Sequence, residues 1–341
     1  MAAASQGQLA VRSLWPDGFR LVTRRSFENL SAMRTLVSIL LISLVLSSRA
    51  ADLASLYATN GELIVVSLPT APFPHPNRAE GHKYKQEFFS AKDNYSDSTV
   101  GIFIPKNFQE GGPIDFVVHF HGWKNNVAGV LARYKLIEQL VASRRNAILV
   151  VPQGPKNAPD SFGGKLEDAG GFKAFMADVT KTLSEKSSLR KKDFAVGKII
   201  LSGHSGGYQV ISSILDRGGL TPNVQEVWLF DALYAQTDKF SKWFEKSNGR
   251  LLNIYTEHGG TKDETEKMME SLKAEGIKIA AGKEETFAGS ALPRKGAVFL
   301  FSDLEHNDVV DKHRTFEAFL KTSFLGETRD AEIRREDNVR R

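Results

Sequence analysis

A glycine-rich motif holds a serine with the surroundings of a nucleophile. Residues Gly203–Gly207 read Gly-His-Ser-Gly-Gly, which matches Gly-x-Ser-x-Gly with Ser205 at its centre. The motif directly follows the apolar run Lys198–Ser202 and directly precedes a segment with helical periodicity. A strand, a sharp turn and a helix in that order expose the serine hydroxyl, and glycines remove the Cβ atoms that would clash in the turn. The alternative is a glycine-rich turn whose serine only caps the next helix.

The order of the predicted elements indicates what positions this serine. Short β-branched apolar runs alternate with segments whose apolar residues recur every three or four positions, as in a mostly parallel sheet covered by helices. Eight strands are predicted: Leu63–Leu68, Thr99–Ile104, Ile114–His121, Ala147–Val151, Lys198–Ser202, Glu226–Phe230, Arg250–Thr256 and Ala297–Ser302. Six helices are predicted: Val127–Arg144, Gly171–Ser187, Gly207–Asp216, Thr237–Lys246, Thr261–Glu275 and Asp311–Thr322. Pro69–Ser98 and Gln153–Gly170 are rich in Gly, Pro, Asn and Asp and are predicted to be loops.

In this context the motif around Ser205 resembles that of the α/β-hydrolase superfamily. The resemblance extends over roughly Ile114 to Phe319. It implies an α/β-hydrolase fold: an α/β protein with a mostly parallel eight-stranded sheet and helices on both faces. It also implies a serine hydrolase that works through a triad of serine, histidine and carboxylate.

The resemblance places the general base after the last strand. A serine hydroxyl needs an imidazole to accept its proton, and superfamily members carry that histidine behind the final strand. Here His306 follows Ala297–Ser302, so the resemblance implies that His306 is the base. His313 lies inside the last predicted helix and is expected at the surface.

The carboxylate partner of the histidine is open between three residues. Asp231 ends the apolar strand Glu226–Phe230, where an ionised group must be paired. Glu257 and Asp263 follow the next strand, which is the more usual position of the acid in the superfamily. Asp263 also suits the start of a helix for electrostatic reasons alone. Asp231 is preferred, with Glu257 and Asp263 as alternatives.

The segment that closes the third strand reads His-Phe-His-Gly-Trp and ends at Trp123. It resembles the His-Gly-aromatic oxyanion loop of many superfamily members. The resemblance implies that the backbone amides of Trp123 and Gly206 bind the oxyanion. Lys165 lies in a loop that resembles the segment after strand four in secreted esterases and polyester depolymerases. His121 and Lys165 are assigned to substrate binding, although His121 is also suited to packing beneath the oxyanion loop.

His119 and His121 also permit a different chemistry. Alternate residues of a strand face the same side, so a His-x-His pair is a good two-point grip for a metal ion. With His306, or with His258 and a carboxylate, the pair would complete the site of a zinc hydrolase. The motif around Ser205 would then have no role, so the serine mechanism is preferred and no cofactor or metal is expected.

The first fifty residues carry the pattern of an export signal. Residues 33–50 begin with Met33 and Arg34, continue with the apolar stretch Leu36–Leu46 and end in the small residues that signal peptidase prefers. Cleavage near Ala50 is therefore predicted, with export to the periplasm or outside the cell. The apolar stretch is short for a stable membrane anchor. Residues 1–32 are then a leader upstream of the true start.

Charge and composition limit the partners. The 341 residues include 45 Lys and Arg against 40 Asp and Glu, but residues 1–50 account for six of the arginines and two of the acids, so the remainder is nearly neutral. This balance leaves no basic surface for nucleic acid. The lack of cysteine excludes disulfides, thiolate catalysis and cysteine-ligated zinc. Residues 51–325 are predicted to form one catalytic domain and residues 326–341 a charged tail.

The expected function is cleavage of a carboxylic ester, in a small molecule or a polymer, through an acyl-enzyme on Ser205. Three alternatives remain open at the level of sequence: a peptidase or amidase with the same triad, a metal-dependent hydrolase, and a non-catalytic binding protein on the same fold. The acyl group, the leaving group and the oligomeric state are not encoded in any recognisable pattern.

Overall fold

The computed structural model describes residues 52–190, 193–287 and 292–328. After a short helical segment at residues 52–56, the strands are β1 (Gly61–Ser67), β2 (His82–Tyr84), β3 (Glu87–Phe89), β4 (Thr99–Pro105), β5 (Ile114–Phe120), β6 (Ile148–Pro152), β7 (Val196–His204), β8 (Val224–Phe230), β9 (Arg250–Thr256), β10 (Ile279–Lys283) and β11 (Gly296–Ser302). The α-helices are α1 (Ala91–Asn94), α2 (Val127–Arg133), α3 (Leu136–Ser143), α4 (Gly171–Lys186), α5 (Tyr208–Arg217), α6 (Thr237–Ser247), α7 (Lys262–Ala274), α8 (Glu284–Phe287) and α9 (Thr315–Thr322).

Nine of these strands form one sheet in the order β1-β4-β6-β5-β7-β8-β9-β11-β10. β4 runs antiparallel to both β1 and β6, and every other neighbouring pair is parallel. The central strands are almost wholly buried, as their near-continuous apolar runs predict. All eight predicted strands belong to this sheet, and the predicted α/β class is confirmed.

Helices cover both faces of the sheet. Side chains alternate along each strand, so the apolar runs project apolar side chains from both faces. In β5, Phe116, Val118 and Phe120 pack into a core with apolar residues of α4, α5, α6 and α7. Val117, between them, packs with residues of α2, α3 and α9 on the opposite face. The sheet is therefore held between two apolar layers.

Several elements differ from the sequence prediction. The single helix predicted over Val127–Arg144 is two helices, because Lys135 adopts a left-handed backbone with φ 47° between α2 and α3. The last helix begins at Thr315, after Arg314 with φ 55°, rather than at Asp311.

Three strands were not predicted. β10 is the ninth strand of the large sheet, and it lies at an edge where its residues are only partly buried. Such a strand lacks the continuous apolar run that marks a central one. β2 and β3 pair as a separate antiparallel hairpin inside the predicted loop Pro69–Ser98.

The export signal and leader predicted within residues 1–50 lie outside the described residues, as does the predicted tail from residue 329 onward. None of the helices in the described ranges is both long and apolar enough to cross a membrane.

The parallel strands end at one edge of the sheet, and the predicted site residues follow those ends. Trp123 comes after β5, Ser205 directly after β7, Asp231 directly after β8 and His306 after β11. Loops at the carboxyl ends of parallel strands are where open α/β sheets bind ligands. The topology thus brings residues far apart in the chain to one edge.

Candidate active site

Ser205 sits in a tight turn between β7 and α5. Its backbone is left-handed, with φ 52°, and it begins a single 3-10 turn, Ser205–Gly207. Such a conformation is strained for a residue with a side chain and persists only where packing enforces it. A Cβ on Gly203 would lie 2.7 Å from Ile211 Cδ1, and one on Gly207 would lie 2.6 Å from the carbonyl oxygen of Phe120. The flanking glycines are therefore required by close packing of the turn against its neighbours.

His306 and Asp231 are in direct contact. His306 Nδ1 lies 2.7 Å from Asp231 Oδ2. Thr256 Oγ1 donates to the same carboxylate oxygen at 2.8 Å, and the Thr261 hydroxyl donates to the other oxygen. Burial alone would raise the pKa of Asp231, but the hydrogen bonds from His306, Thr261 and Thr256 outweigh it and hold the pKa below its ordinary value. The carboxylate therefore stays ionised at neutral pH and holds the imidazole by its Nδ1.

The two other candidate carboxylates, Glu257 and Asp263, do not contact His306. Glu257 is exposed and pairs with Lys262 Nζ at 2.8 Å. Asp263 is exposed in the first turn of α7, a position that the helix dipole favours. Of the three candidates, only Asp231 contacts His306.

The serine hydroxyl is close to a tyrosine that the sequence did not single out. Ser205 lies next to the phenol oxygen of Tyr234, and the Tyr234 hydroxyl donates to the carbonyl oxygen of Gly259 at 2.5 Å. Burial and the nearby Asp231 carboxylate raise the pKa of Tyr234 to about 12, so the phenol is protonated at neutral pH. Within the described part of the chain, Ser205 and His306 form no hydrogen bond. Nucleophile–base bonds are often long in unliganded hydrolases and tighten when substrate binds.

The loop after β5 lies against Ser205. A Cβ on Gly122 would lie 2.5 Å from Ser205 Cβ and 3.1 Å from its Oγ. In the described residues, the amides of Trp123 and Gly206, the two predicted oxyanion donors, donate no hydrogen bond to other protein atoms. The indole Nε1 of Trp123 donates to Ser161 Oγ at 2.8 Å, and both groups lie over Gly206. The two candidate donors therefore border the serine and have their N–H groups available.

His121 fixes this loop. Its Nδ1 donates to the carbonyl oxygen of Gly122 at 2.8 Å, and its Nε2 accepts from Gly154 N and from Gln153 Nε2, both at 2.9 Å. Burial lowers the pKa of His121, which keeps the ring neutral as this bonding pattern requires. The ring also lines a cavity of about 20 Å³ beside Gly206, room for about one water molecule. With both ring nitrogens engaged, His121 can meet a substrate only through its ring carbons.

Lys165, the other residue assigned to substrate binding, lies on the loop between β6 and α4. Its Nζ donates to the carbonyl oxygen of Pro69 at 2.7 Å. It does not line the small cavity beside Gly206.

His119 and His121 are not arranged as two ligands of one metal ion. His119 is completely buried, its Nδ1 lies 2.9 Å from Ser202 Oγ, and burial lowers its pKa to about 3. His258 is exposed, and His306 already binds Asp231 through Nδ1. The described residues contain no group of three His, Cys, Asp or Glu side chains that could hold a metal ion. The alternative zinc site therefore lacks a set of ligands in the described ranges.

No protein-family model matches the chain, and no curated protein matches it significantly. Solved structures similar to it include the feruloyl esterase module from Clostridium thermocellum, with 10% identity over 77% of this chain and 88% of that one and a TM-score of 0.46. A ferulic acid esterase has 13% identity over 77% and 98% of the two chains, with a TM-score of 0.47. The S-formylglutathione hydrolase from Staphylococcus aureus has 11% identity over 76% and 96%, with a TM-score of 0.44.

Identities this low indicate similarity of structure and not of chemistry. The sheet order and the left-handed serine between a parallel strand and a helix nonetheless define the class: this is an α/β-hydrolase fold.

Proposed function

We propose that the protein is a serine hydrolase that cleaves carboxylic esters, in a small molecule or a polymer. The observation that carries the proposal is the combination of Ser205 in a strained, left-handed turn with the His306–Asp231 pair at the same edge of the sheet. A strained serine and a carboxylate-bound histidine are both costly to maintain and have a purpose together in acyl transfer.

The chemistry follows from the residues. Ser205 Oγ attacks the ester carbonyl while His306 Nε2 takes its proton, and Asp231 stabilises the imidazolium through Nδ1–H. The amides of Trp123 and Gly206 donate to the oxyanion of the tetrahedral intermediate, each worth about 10²–10³-fold in rate. The intermediate collapses to an acyl-enzyme as His306 returns the proton to the leaving alcohol. Water, activated by the same histidine, then releases the acid and restores the serine.

Active-site labelling with a fluorophosphonate probe tests this proposal. The folded protein is expected to be labelled at Ser205, and Ser205→Ala is expected to abolish both labelling and ester cleavage. Ser161→Ala is the matched control, because Ser161 carries the hydroxyl next to Gly206 but lies on a different loop. Absence of an adduct at Ser205 in folded protein would falsify the serine mechanism and favour a binding protein on this fold.

Two further measurements distinguish the serine esterase from a metal-dependent hydrolase and from an amidase. Activity that survives Ser205→Ala and is lost only with a chelator would favour metal-dependent hydrolysis. Amide cleavage uses the same residues, so rates on an ester and an amide with the same acyl group decide between an esterase and an amidase. We expect the ester to be cleaved faster, because its carbonyl is more electrophilic than that of an amide, and because an amide nitrogen must be protonated before it can leave.

Export belongs to the proposal on the strength of the sequence pattern in residues 33–50. N-terminal sequencing of protein recovered outside the cytoplasm is expected to begin after Ala50. A mature chain that retains Ser31 would contradict both the signal peptide and the start at Met33.

A further inference from the structure

His204 occupies the variable position of the Gly-x-Ser-x-Gly motif, yet its side chain is deeply buried. It is 2% exposed, although it directly precedes the turn that exposes Ser205. Its ring lies against the ring of His306, with centroids 4.6 Å apart and planes 38° apart. On its other side the ring meets Tyr134, at 5.1 Å between centroids. The His204 ring therefore packs between the buried Tyr134 and His306 of the candidate site.

Both ring nitrogens of His204 are hydrogen bonded, and the partners determine its tautomer. Nε2 lies 2.9 Å from the backbone carbonyl oxygen of His306, and Nδ1 lies 3.0 Å from the Tyr134 hydroxyl. A carbonyl oxygen only accepts, so Nε2 carries the hydrogen; Nδ1 is then bare and accepts from Tyr134. Burial lowers the pKa of His204 to about 3, with a smaller contribution from the nearby His306. This low pKa agrees with a neutral ring.

His306 is thus restrained at two places. Asp231 binds its side chain through Nδ1, and His204 binds its backbone carbonyl and packs on its ring. His306 lies outside any helix or strand, in the segment between β11 and α9, so no regular backbone pairing positions it. The Asp231 contact alone leaves the ring free to tilt about that hydrogen bond.

From this geometry we propose that His204 is a positioning residue for His306, with Tyr134 holding His204 in the tautomer that the contact needs. This inference rests on the proposed serine mechanism. A neutral aromatic donor suits the position, because a cation there would repel the imidazolium that forms during catalysis. A purely apolar ring would pack on His306 but leave its carbonyl oxygen without the donor.

The test compares variants that differ in where they place a donor. The amide nitrogen of His204→Gln falls near the former Nε2 and can still donate to the His306 carbonyl, whereas that of His204→Asn falls near Nδ1 and cannot. His204→Phe keeps a ring and removes both hydrogen bonds. His119→Phe is the matched control, because His119 is also a completely buried histidine, one strand away, but bonds Ser202 instead.

We expect His204→Phe and His204→Asn to lower kcat about 10- to 100-fold with KM within about twofold, because small misplacements of a catalytic group have effects of this size. His204→Gln is expected to recover most of the loss, Tyr134→Phe to show a smaller loss, and His119→Phe to keep kcat within about twofold. Equal kcat values in the Gln and Asn variants, or a kcat for His204→Phe no lower than that of His119→Phe, would overturn the inference.

Two measurements keep the result interpretable. Melting curves show which variants fold, and if His204→Phe does not fold, the comparison of Gln with Asn decides alone. Labelling of the unmodified protein at Ser205 tests the proposed mechanism separately, so a labelled wild type with indifferent His204 variants refutes only the positioning role.

Discussion

The two sides of Ser205 are built in different ways. On the oxyanion side, the loop through Gly122 packs directly on the serine and is tied down by His121, whose ring bonds backbone atoms on two segments. On the base side, His306 lies in irregular chain and is held by side chains, with Asp231 on its imidazole and His204 on its carbonyl. The groups proposed to act on the substrate are backbone amides on the first side and a hydrogen-bonded side chain on the second.

This difference has consequences for how the site can fail. Because backbone amides are present whatever the side chain, the oxyanion side should be sensitive to volume beside Ser205 and, apart from the His121 ring that ties the loop, nearly indifferent to the loss of a polar side-chain atom. The base side should be sensitive to the loss of a polar side-chain atom and less sensitive to a change of volume. Three variants test this contrast, and a fourth prediction concerns the stability of the fold around the site; they are given from the largest expected effect to the smallest.

Replacement of Asp231 should have the largest effect. Asp231→Asn keeps the volume but removes the charge and favours the wrong tautomer of His306, a change that lowers kcat about 10⁴-fold in serine triads. Steady-state turnover of a small ester measures the effect. Glu257→Gln and Asp263→Asn are controls, because both residues are exposed and away from His306, and each should stay close to wild type. Near-normal turnover in Asp231→Asn would remove Asp231 from the mechanism.

A methyl group at Gly122 should damage the oxyanion side by volume alone. The new Cβ in Gly122→Ala would lie 2.5 Å from Ser205 Cβ and 3.0 Å from the His204 carbonyl oxygen, so the loop or the serine must move. We expect kcat to fall about 10²–10³-fold, as when an oxyanion donor is lost. Gly111→Ala is the matched control, because nothing lies within 4 Å of a Cβ there. Equal kcat in the two variants would show that the loop does not constrain the serine.

Acid should weaken the fold before it protonates Asp231. His119 and His204 have folded pKa values of about 3, whereas an unfolded histidine titrates near 6.5, so the unfolded chain binds protons that the folded one does not. Their full contribution to stability is present above about pH 6.5 and is lost as the pH falls towards 3. Each such histidine contributes about 2 kcal/mol to the loss of stability between pH 7 and pH 5.

Denaturant unfolding at pH 7 and pH 5 measures this loss. His119→Phe leaves both sides of the site in place, and it should reduce the difference between the two pH values by about 2 kcal/mol. An unchanged difference in that variant would mean that His119 is protonated in the folded protein.

The smallest effect is expected at Ser161. Ser161→Ala removes the hydrogen bond to the Trp123 indole, whose side chain is 41% exposed. A bond of this kind is worth about 1 kcal/mol, so kcat should change less than about fivefold, because the proposed donor is the Trp123 amide and not its indole. Ester hydrolysis by the purified variant is the measurement. A loss as large as that of Gly122→Ala would mean that side-chain contacts, not backbone fit, shape the oxyanion side.

Much of the fold was predictable because its information is local. Buried parallel strands need continuous apolar runs, and all eight runs found in the sequence are strands of the sheet. The edge strand β10 escaped prediction because its half-exposed residues carry no such run. The break between α2 and α3 escaped because Lys135, an ordinary helix former, adopts a left-handed conformation between the fully buried residues Tyr134 and Leu136.

The candidate site, like the fold, was predictable only where its information is local. Ser205 and His306 could be named from a motif and from chain order. Tyr234, Ser161 and His204 could not, since no local pattern marks their contacts, although His204 lies inside the motif. Their significance depends on contacts with residues distant in the chain: Tyr234 with Ser205, Ser161 with Trp123, and His204 with His306.

The sequence by itself determined the class of fold, the serine turn and the short set of carboxylates from which an acid could come. Only the tertiary structure shows which of those carboxylates contacts His306. β9 lies between β8 and β11 in the sheet, so His306 must reach across its end, where Thr256 supports Asp231 while Glu257, the next residue, turns to solvent and Lys262. Strand order and the direction of each side chain set that geometry, and neither is a property of any single segment of the chain.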